Sequence, residues 1–402
     1  MASAQAFDVI VVGGGLAGSA LAGALAKAGL GVLLIEREAA FRDRVRGELT
    51  WPWGVTEAHE LGLEDVLQQA GRVELPALQF YEDRCLAATE AFDGTPMIGF
   101  SHPMLQEALF AWAAAQGAFT LRPAKATGFA HNGQPGVAVT VAGREVEYTA
   151  RLVVGADGKL SAARRWTGGG TLSDAEHHRF GGVLVTGLPE SWLVVGDART
   201  APTECIWFAQ SATATRLYLR MTADRVRESG VDRSFAAFIS HAAGYMPDGA
   251  TAGVEQAGPL GFFSNSNVWA SQIAAHDVVL IGDAAGAADP SGGLGTSLMY
   301  RDVRELRDLL LSERNWPAAV TEFACRRARY YDVVRAYDRW MAQLFVDEGD
   351  AADRRRAGHV RARETDPTLG GFGLIEVQGP DGLIADGRAR RVYFGEEPAG
   401  LR

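Results

Sequence analysis

Asp8-Val9-Ile10-Val11-Val12-Gly13-Gly14-Gly15-Leu16-Ala17-Gly18 is the stretch on which the fold turns. Its β-favouring apolar run predicts a strand buried on both faces, as in a parallel sheet. The glycines that follow are spaced GxGxxG. Leu16 to Ala28 then reads as a helix that is apolar on almost every side, with Gly29 placed to end it. Val32-Leu33-Leu34-Ile35 predicts a second buried strand, with Glu36 and Arg37 at its end. This order assigns chemistry to positions. Gly13 permits the tight turn, Gly15 lets the backbone approach a pyrophosphate, and Gly18 lets the helix pack on the strand. The free N–H groups at Leu16 and Ala17, with the positive end of the helix, face the phosphates. Glu36, 23 residues after Gly13, stands at the offset of a carboxylate that holds the adenosine ribose. The unit predicts a bound dinucleotide and does not separate NAD from FAD.

Outward from this unit, 402 residues suggest two or three domains, and 47% hydrophobic content supplies a large core. A net charge of −10 argues against nucleic acid and anionic membranes as partners. The 18 residues from Val9 to Ala26 carry no charge, which touches the length of a membrane span. Three consecutive glycines interrupt them, so no span is expected. Met1 to Phe7 lacks the basic region of a signal peptide. Cys85, Cys205 and Cys325 form no CxxC pair and no metal spacing, which fits a reducing cytoplasm and predicts no metal centre.

Two more glycine-and-acid motifs follow. Leu152-Val153-Val154-Gly155-Ala156-Asp157-Gly158 is a buried strand running into Gly-Ala-Asp-Gly, with Ser161 and Arg164 beyond. Asp277-Val278-Val279-Leu280-Ile281-Gly282-Asp283-Ala284-Ala285 is another strand ending in Gly-Asp. It leads into Asp289-Pro290-Ser291-Gly292-Gly293-Leu294-Gly295-Thr296-Ser297 and then a helix bearing Asp302, Val303, Leu306 and Leu310 at helical spacing.

The three motifs in this order resemble the class A flavoprotein monooxygenases, which share the para-hydroxybenzoate hydroxylase fold. The resemblance covers roughly residues 6 to 340. It implies an α/β chain: a Rossmann-like FAD-binding domain with an inserted β-sheet substrate domain and C-terminal helices. The division it suggests is 1–72, 101–178 and 270–310 for the FAD-binding domain, 73–100 and 179–269 for the substrate domain, and 311–402 for a C-terminal helical region and tail. FAD is the implied cofactor. Asp283, after Gly282, would accept hydrogen bonds from its ribityl chain, and Pro290 and Gly293 would lie beside the ring. Gly295, Thr296 and Ser297 would turn helix N–H groups toward the reduced flavin. Asp157 would help hold the pyrophosphate region. The stretch Asp43 to Pro52 is similar to its counterpart in squalene epoxidases and offers Arg44, then Arg46, as the cofactor-contacting arginine. His102 stands where relatives carry Arg or Gln, and Ala126 where they meet adenine through the backbone.

The implied reaction is monooxygenation by FAD, NADH or NADPH and O2. NAD(P)H binds transiently, as the chain has no second GxGxxG. A flavin C4a-hydroperoxide then hydroxylates or epoxidises an aromatic or polycyclic small molecule. Gly286 and Asp289 depart from the commoner hydroxylase pattern and look more like geranylgeranyl reductases and halogenases. A reductase or dehydrogenase acting on a double bond is the alternative. The halogenase reading is set aside: the three lysines, Lys27, Lys125 and Lys159, all fall in or beside nucleotide motifs, and the Trp-x-Trp-x-Ile-Pro motif is absent. The chain would be monomeric or a homodimer.

No catalytic base stands out among His59, His102 and Tyr81. Adjacent His177 and His178 are expected at the surface with their rings pointing apart. Trp51 and Trp53 are candidates for the pocket wall. The register of the strand through Trp207 cannot be set. From about Ser312 an arginine-rich helix, with Arg326, Arg327, Arg329, Arg335 and Arg339, is expected to be solvated and packed on the FAD domain. Phe372 to Val377 is expected as a late strand.

Overall fold

The computed structural model describes residues 6–45, 47–131, 133–188, 193–197, 204–275, 277–345, 347–365 and 374–397. Arg46 lies outside them, as do residues 372 and 373 of the expected late strand.

The strand Ala6–Val12 is the centre of an eight-stranded sheet. Val32–Ile35 lies parallel on one side, with Phe119–Leu121 beyond it. Arg144–Gly155 lies parallel on the other side, followed by Val278–Leu280. Alternate side chains serve opposite faces, as pleating demands. Val9, Val11, Leu34 and Val154 pack under the helices Leu16–Lys27, His102–Ala115 and Gly295–Ser312. Ile10, Val12, Leu33 and Val153 pack on the other face, against Val137 and Val139 of an antiparallel hairpin. Burial on both faces explains why these strands read as unbroken apolar runs.

Strand order reverses at Ala6–Val12, so the crevice of an open parallel sheet falls at its carboxyl end. Three backbone hydrogen bonds stitch the motif turns together there. Gly13 N–H donates to Ile35 O at 2.9 Å, Ala156 N–H to Val12 O at 2.8 Å, and Ile281 N–H to Gly155 O at 3.0 Å. Motifs more than a hundred residues apart thus meet because each ends an adjacent parallel strand.

Strands from the two blocks expected to form the substrate domain build a second sheet of eight strands, while Val73–Leu75 and Met97–Gly99 pair instead with Leu49–Thr50 in a separate three-stranded sheet. Ala77–Glu82 from the first block runs parallel to Leu193–Asp197 from the second. Its register places Ile206 and Phe208 on one face and Cys205 and Trp207 on the other, where Trp207 packs in a core with Leu217, Leu219 and Phe238.

The C-terminal region corrects two expectations. The long helix Trp316–Phe345 packs on the nucleotide-binding half, but it is not simply solvated, because Arg327 is 2% exposed. Arg327 Nε donates to Asp302 Oδ2 at 2.8 Å, and its guanidinium lies over the Tyr331 ring. The late strand is a short helix, Leu374–Gln378. Periodicity cannot distinguish so brief an apolar run. One helical turn buries Ile375 and Glu376, and Gly379 at φ 78° closes it against Trp53.

Glu376 is fully buried and accepts from the Tyr337 hydroxyl. Burial pushes its carboxyl up to about 8 from the usual 4.5. Between those values the folded chain holds a proton that the unfolded chain has lost. Stability therefore falls as pH rises through this window, by roughly 1.4 kcal/mol per unit. Glu376→Gln should remove that slope and gain on the wild type in urea unfolding between about pH 5 and 8. A difference independent of pH would contradict this account.

Candidate active-site cleft

The carboxyl ends of the parallel strands open into a cleft of about 410 Å³ that runs from the glycine-rich turn to the second sheet. At one end Gly13 has φ 106°, and a Cβ there would lie 2.8 Å from Asp157 Cα. A Cβ on Gly18 would lie inside the Gly13 carbonyl oxygen. Gly15 is different. Its Cβ would meet nothing closer than Gln106 Nε2 at 3.6 Å, so the missing side chain leaves room for a ligand rather than for the protein. The helix behind it has no capping side chain and no acid in its first turn. Its free N–H groups are suited to an anion.

Glu36 is 6% exposed and ties this turn together. Its carboxylate accepts from Gly14 N–H and from Glu38 N–H, both at 2.7 Å. Arg37, Arg42, Arg44 and Lys125 add positive charge to the cleft wall, with Arg44 reaching Glu38 at 3.1 Å. Ala126 lies on the strand Ala124–His131, whose first N–H donates to Glu36 O at 2.7 Å. Glu36→Ala should leave the fold intact and weaken dinucleotide binding about 10- to 100-fold, by removing a charge-assisted acceptor. A fluorescence titration with FAD reads the shift, and unchanged affinity would sink the assignment.

Asp157 and Asp283 close the middle of the cleft. Asp157 Oδ2 caps the turn after it, accepting from Ala162 N–H at 2.7 Å, while its Oδ1 is buried with no hydrogen-bond partner. Asp283 is exposed between buried Gly282, Ala284 and Ala285. Arg164, 3% exposed, holds that turn by donating to Ala284 O and Asp283 O, both at 2.8 Å.

Pro290, Gly293, Gly295 and Thr296 line the next section, where the helix Gly295–Ser312 begins without a capping side chain. Gly18, Gly282 and Ser297 stand behind the cleft surface. Ser297 Oγ accepts from Trp51 N–H at 3.1 Å, and Trp51 Nε1 donates to Gly292 O at 2.8 Å. Trp51 thus lines the cleft, whereas Trp53 is buried elsewhere in the core. Among the three candidate bases, His102 alone lines this cleft, its Nδ1 lying 2.6 Å from Gly47 O.

The far end is an aromatic wall of Phe180, Phe208, Tyr218 and Phe263, with Ile206 and Leu49. Its polar edge is Glu48. Arg216 Nε donates to Glu48 Oε2 at 2.9 Å, Arg216 Nη2 to Asp43 Oδ2 at 2.7 Å, and the Tyr218 hydroxyl to Glu48 Oε2 at 2.6 Å. Burial alone would lower the Arg216 pKa, but Glu48 and its other partners raise it above the usual arginine range. The aromatic wall was not singled out from sequence. Its residues are one sheet face, which only strand register reveals.

His177 and His178 correct their expectation. His178 is 1% exposed, and the two ring centroids lie 4.5 Å apart. Strand alternation does not separate them, because the strand starts at His178 and His177 precedes it. With Asp289 they form the one group of three potential metal ligands among the described residues.

A family model described as FAD binding domain matches residues 6–316. Squalene monooxygenase SE2 of Panax ginseng is 46% identical over 76 residues, which are 19% of this chain and 14% of that protein. Squalene epoxidase 2, mitochondrial, of Arabidopsis thaliana is 52% identical over 62 residues, 15% of this chain and 11% of that protein. The matched stretch is therefore a small part of either relative. Among solved structures, the flavin-dependent brominase Bmp2 superposes with a TM-score of 0.77 at 15% identity, covering 97% of each chain. PqsL of Pseudomonas aeruginosa, described as a probable FAD-dependent monooxygenase, gives 0.74 at 18% identity, covering 85% of this chain and 97% of its own. Aklavinone-11 hydroxylase, solved with FAD and aklavinone, gives 0.72 at 18% identity, covering 85% and 69%. At these identities the likeness establishes the fold.

Proposed function

The chain belongs to the FAD binding domain family, and from that premise we propose that it is an FAD- and NAD(P)H-dependent monooxygenase acting on an aromatic or polycyclic small molecule. One observation carries the reading. A single cleft joins a phosphate cradle, two uncapped helix ends and an aromatic wall, so a dinucleotide and a flat apolar substrate can meet inside it.

The residues fit FAD by their own chemistry. Gly15 leaves room for a pyrophosphate, and Asp157 Oδ1 is a buried acceptor without a donor. In this proposal Gly13, Gly15, Leu16, Ala17 and Gly18 form the pyrophosphate turn, and Glu36 holds the ribose. Arg37, Arg44, His102 and Ala126 line the adenosine side. Asp283 meets the ribityl chain, and Pro290, Gly293, Gly295 and Thr296 border the ring. FAD, when bound, supplies the redox chemistry that takes a hydride from NADH or NADPH and hands one atom of O2 to the substrate. The protein's part is to orient the two ligands, to exclude water with the aromatic wall, and to set helix N–H groups against developing negative charge. The substrate unit in this proposal is residues 73–100 and 179–269, which carry nearly all of the second sheet. No helix among the described residues is long and apolar enough to cross a membrane, and we assign the chain to the cytoplasm.

Purified protein supplied with FAD, NAD(P)H and a panel of aromatic and polycyclic compounds in labelled oxygen provides the test. One labelled oxygen atom in a product is the expected result. Turnover without oxygen to a reduced product would replace this reading with the double-bond reductase.

A further inference from the structure

A chain of polar groups leads out of the cleft and takes no part in the nucleotide turns. Ser291 lines the cleft beside Pro290. Its Oγ lies 2.7 Å from His178 Nε2 and accepts from Asn265 Nδ2 at 2.8 Å. Asn265 Nδ2 also contacts His178 Nε2; an amide NH2 only donates, so Nε2 is an acceptor and the Ser291 hydroxyl donates to it. That makes Nδ1 the protonated nitrogen of a neutral His178. His178 Nδ1 is in hydrogen-bond contact with His177 Nδ1. His177 then carries its proton on Nε2, which lies 3.1 Å from Asp289 Oδ2. One set of tautomers thus satisfies the serine and histidine links, and the His177 Nε2–H lies close to Asp289 Oδ2 without the alignment of a hydrogen bond. The His177 side chain is 28% exposed, so the chain runs from the cleft to solvent.

Its inner end sits at the edge of the aromatic wall. His178 pairs with Asn265 across the second sheet, and two residues along, Phe180 pairs with Phe263. Period-two alternation puts all four on one face. A ligand against Phe180 and Phe263 is therefore next to Ser291.

We propose that Ser291, His178 and His177 form a proton relay that carries a proton from a cleft-bound hydroxyl out to solvent, with Asp289 positioning His177. The inference rests on the reading of the cleft as a substrate site, and it specifies a substrate whose hydroxyl ionises there, of the phenol type. The balance is simple. The ligand hydroxyl gives a proton to Ser291 Oγ as the serine proton passes to His178 Nε2. The Nδ1 proton of His178 passes to His177 Nδ1, and the Nε2 proton of His177 leaves to water. One proton enters, one leaves, and the relay's charge is unchanged.

The surrounding charges fit this direction. Burial pushes His178 down to about 2, against the pull of Asp289 and with a push from Arg220 and His177, so no imidazolium is stored in the interior. Asp338, on the long helix, accepts from Asp289 N–H at 3.3 Å. Burial and the neighbouring Asp289 raise Asp338 well above the carboxylate range. Burial by itself would raise Asp289 too, but contact with His177 and the charge of both rings hold it below the usual range, so Asp289 is the ionised member. Asp174 lies on the same edge, paired with Arg335 and Arg339.

A thiol in place of the serine reads the inner link. Cys85 and Cys325 are exposed, so the variant Ser291→Cys is made with Cys85→Ser and Cys325→Ser. Its alkylation rate is followed against pH, with and without His178→Asn. The histidine should lower the thiol pKa by about one unit or more, seen as roughly tenfold faster alkylation near neutral pH. Nitrogen-15 histidine NMR of the wild type should show His178 neutral and protonated on Nδ1. In the FAD-loaded enzyme, His178→Asn should lower kcat about 100-fold or more, leave the KM for NAD(P)H unchanged, and hold FAD affinity within about twofold. Equal thiol titrations, an Nε2-protonated His178, or stoichiometric zinc binding abolished by His178→Asn would each overturn the relay, the last in favour of a metal site. Failure of the wild type to bind FAD would overturn the functional reading instead, and leaves the thiol and NMR results interpretable.

Discussion

Gly15→Ala should give a folded protein that has lost its yellow colour. The added Cβ meets nothing of the protein closer than 3.6 Å, so the fold has no reason to object. It projects into the space a pyrophosphate needs to reach the free N–H groups of the helix Leu16–Lys27. Losing two such charge-assisted hydrogen bonds costs about 3 kcal/mol, or roughly 100-fold in affinity. FAD fluorescence titration and circular dichroism separate the two effects. Gly18→Ala is the control in the opposite sense, since its Cβ collides with the Gly13 carbonyl and should cost stability as well. A Gly15→Ala protein that retains FAD within about twofold would show that the pyrophosphate does not approach here.

Arg327→Ala should be among the most damaging single changes outside the glycine turn. Arg327 and Asp302 are both buried, and Asp302 is the hub that holds the Gly282-Asp283 motif. Asp302 accepts from Gly282 N–H at 2.7 Å, from Arg327 Nε at 2.8 Å and from the Tyr330 hydroxyl at 2.5 Å. Removing the guanidinium strands a carboxylate in the core, which costs about 3–5 kcal/mol. Because Gly282 starts the turn that presents Asp283, FAD retention should fall together with stability. The triple change Arg327→Met, Asp302→Leu, Tyr330→Phe should recover much of the stability, since an apolar replacement removes the stranded charge. It should not recover FAD retention, as Gly282 N–H stays without its acceptor. Urea unfolding and bound-flavin absorbance provide the two readouts. A single variant within about 1 kcal/mol of the wild type would rule out this role.

The strand, turn, helix and strand read between Asp8 and Ile35 survived because every signal in them is local. A strand buried on both faces must be apolar throughout, a turn at φ 106° favours glycine, and the carboxylate offset is fixed by one strand–helix–strand unit. The same locality made Gly155-Ala156-Asp157 and Gly282-Asp283 legible as strand ends. The expectations that failed depended on a neighbour from elsewhere in the chain, on where a strand begins, or on a run too short for its periodicity to be read. Arg327 looked like one solvated arginine among several until Asp302 was beside it. His177 and His178 looked like a surface pair because strand alternation was assumed where the strand had not begun.

By itself, then, the sequence determined the glycine-rich turn at Gly13 and the strand ends beside it, and the order of the three motifs pointed to FAD. Tertiary structure alone decided what lies across the cleft from that turn. Phe180, Phe208, Tyr218 and Phe263 come from four strands whose shared face depends on register. Glu48 and Arg216, or Ser291 and His178, are ordinary polar residues in sequence. They become a buried ion pair and a path to solvent because sheet pairing brings them within hydrogen-bond distance and excludes water around them.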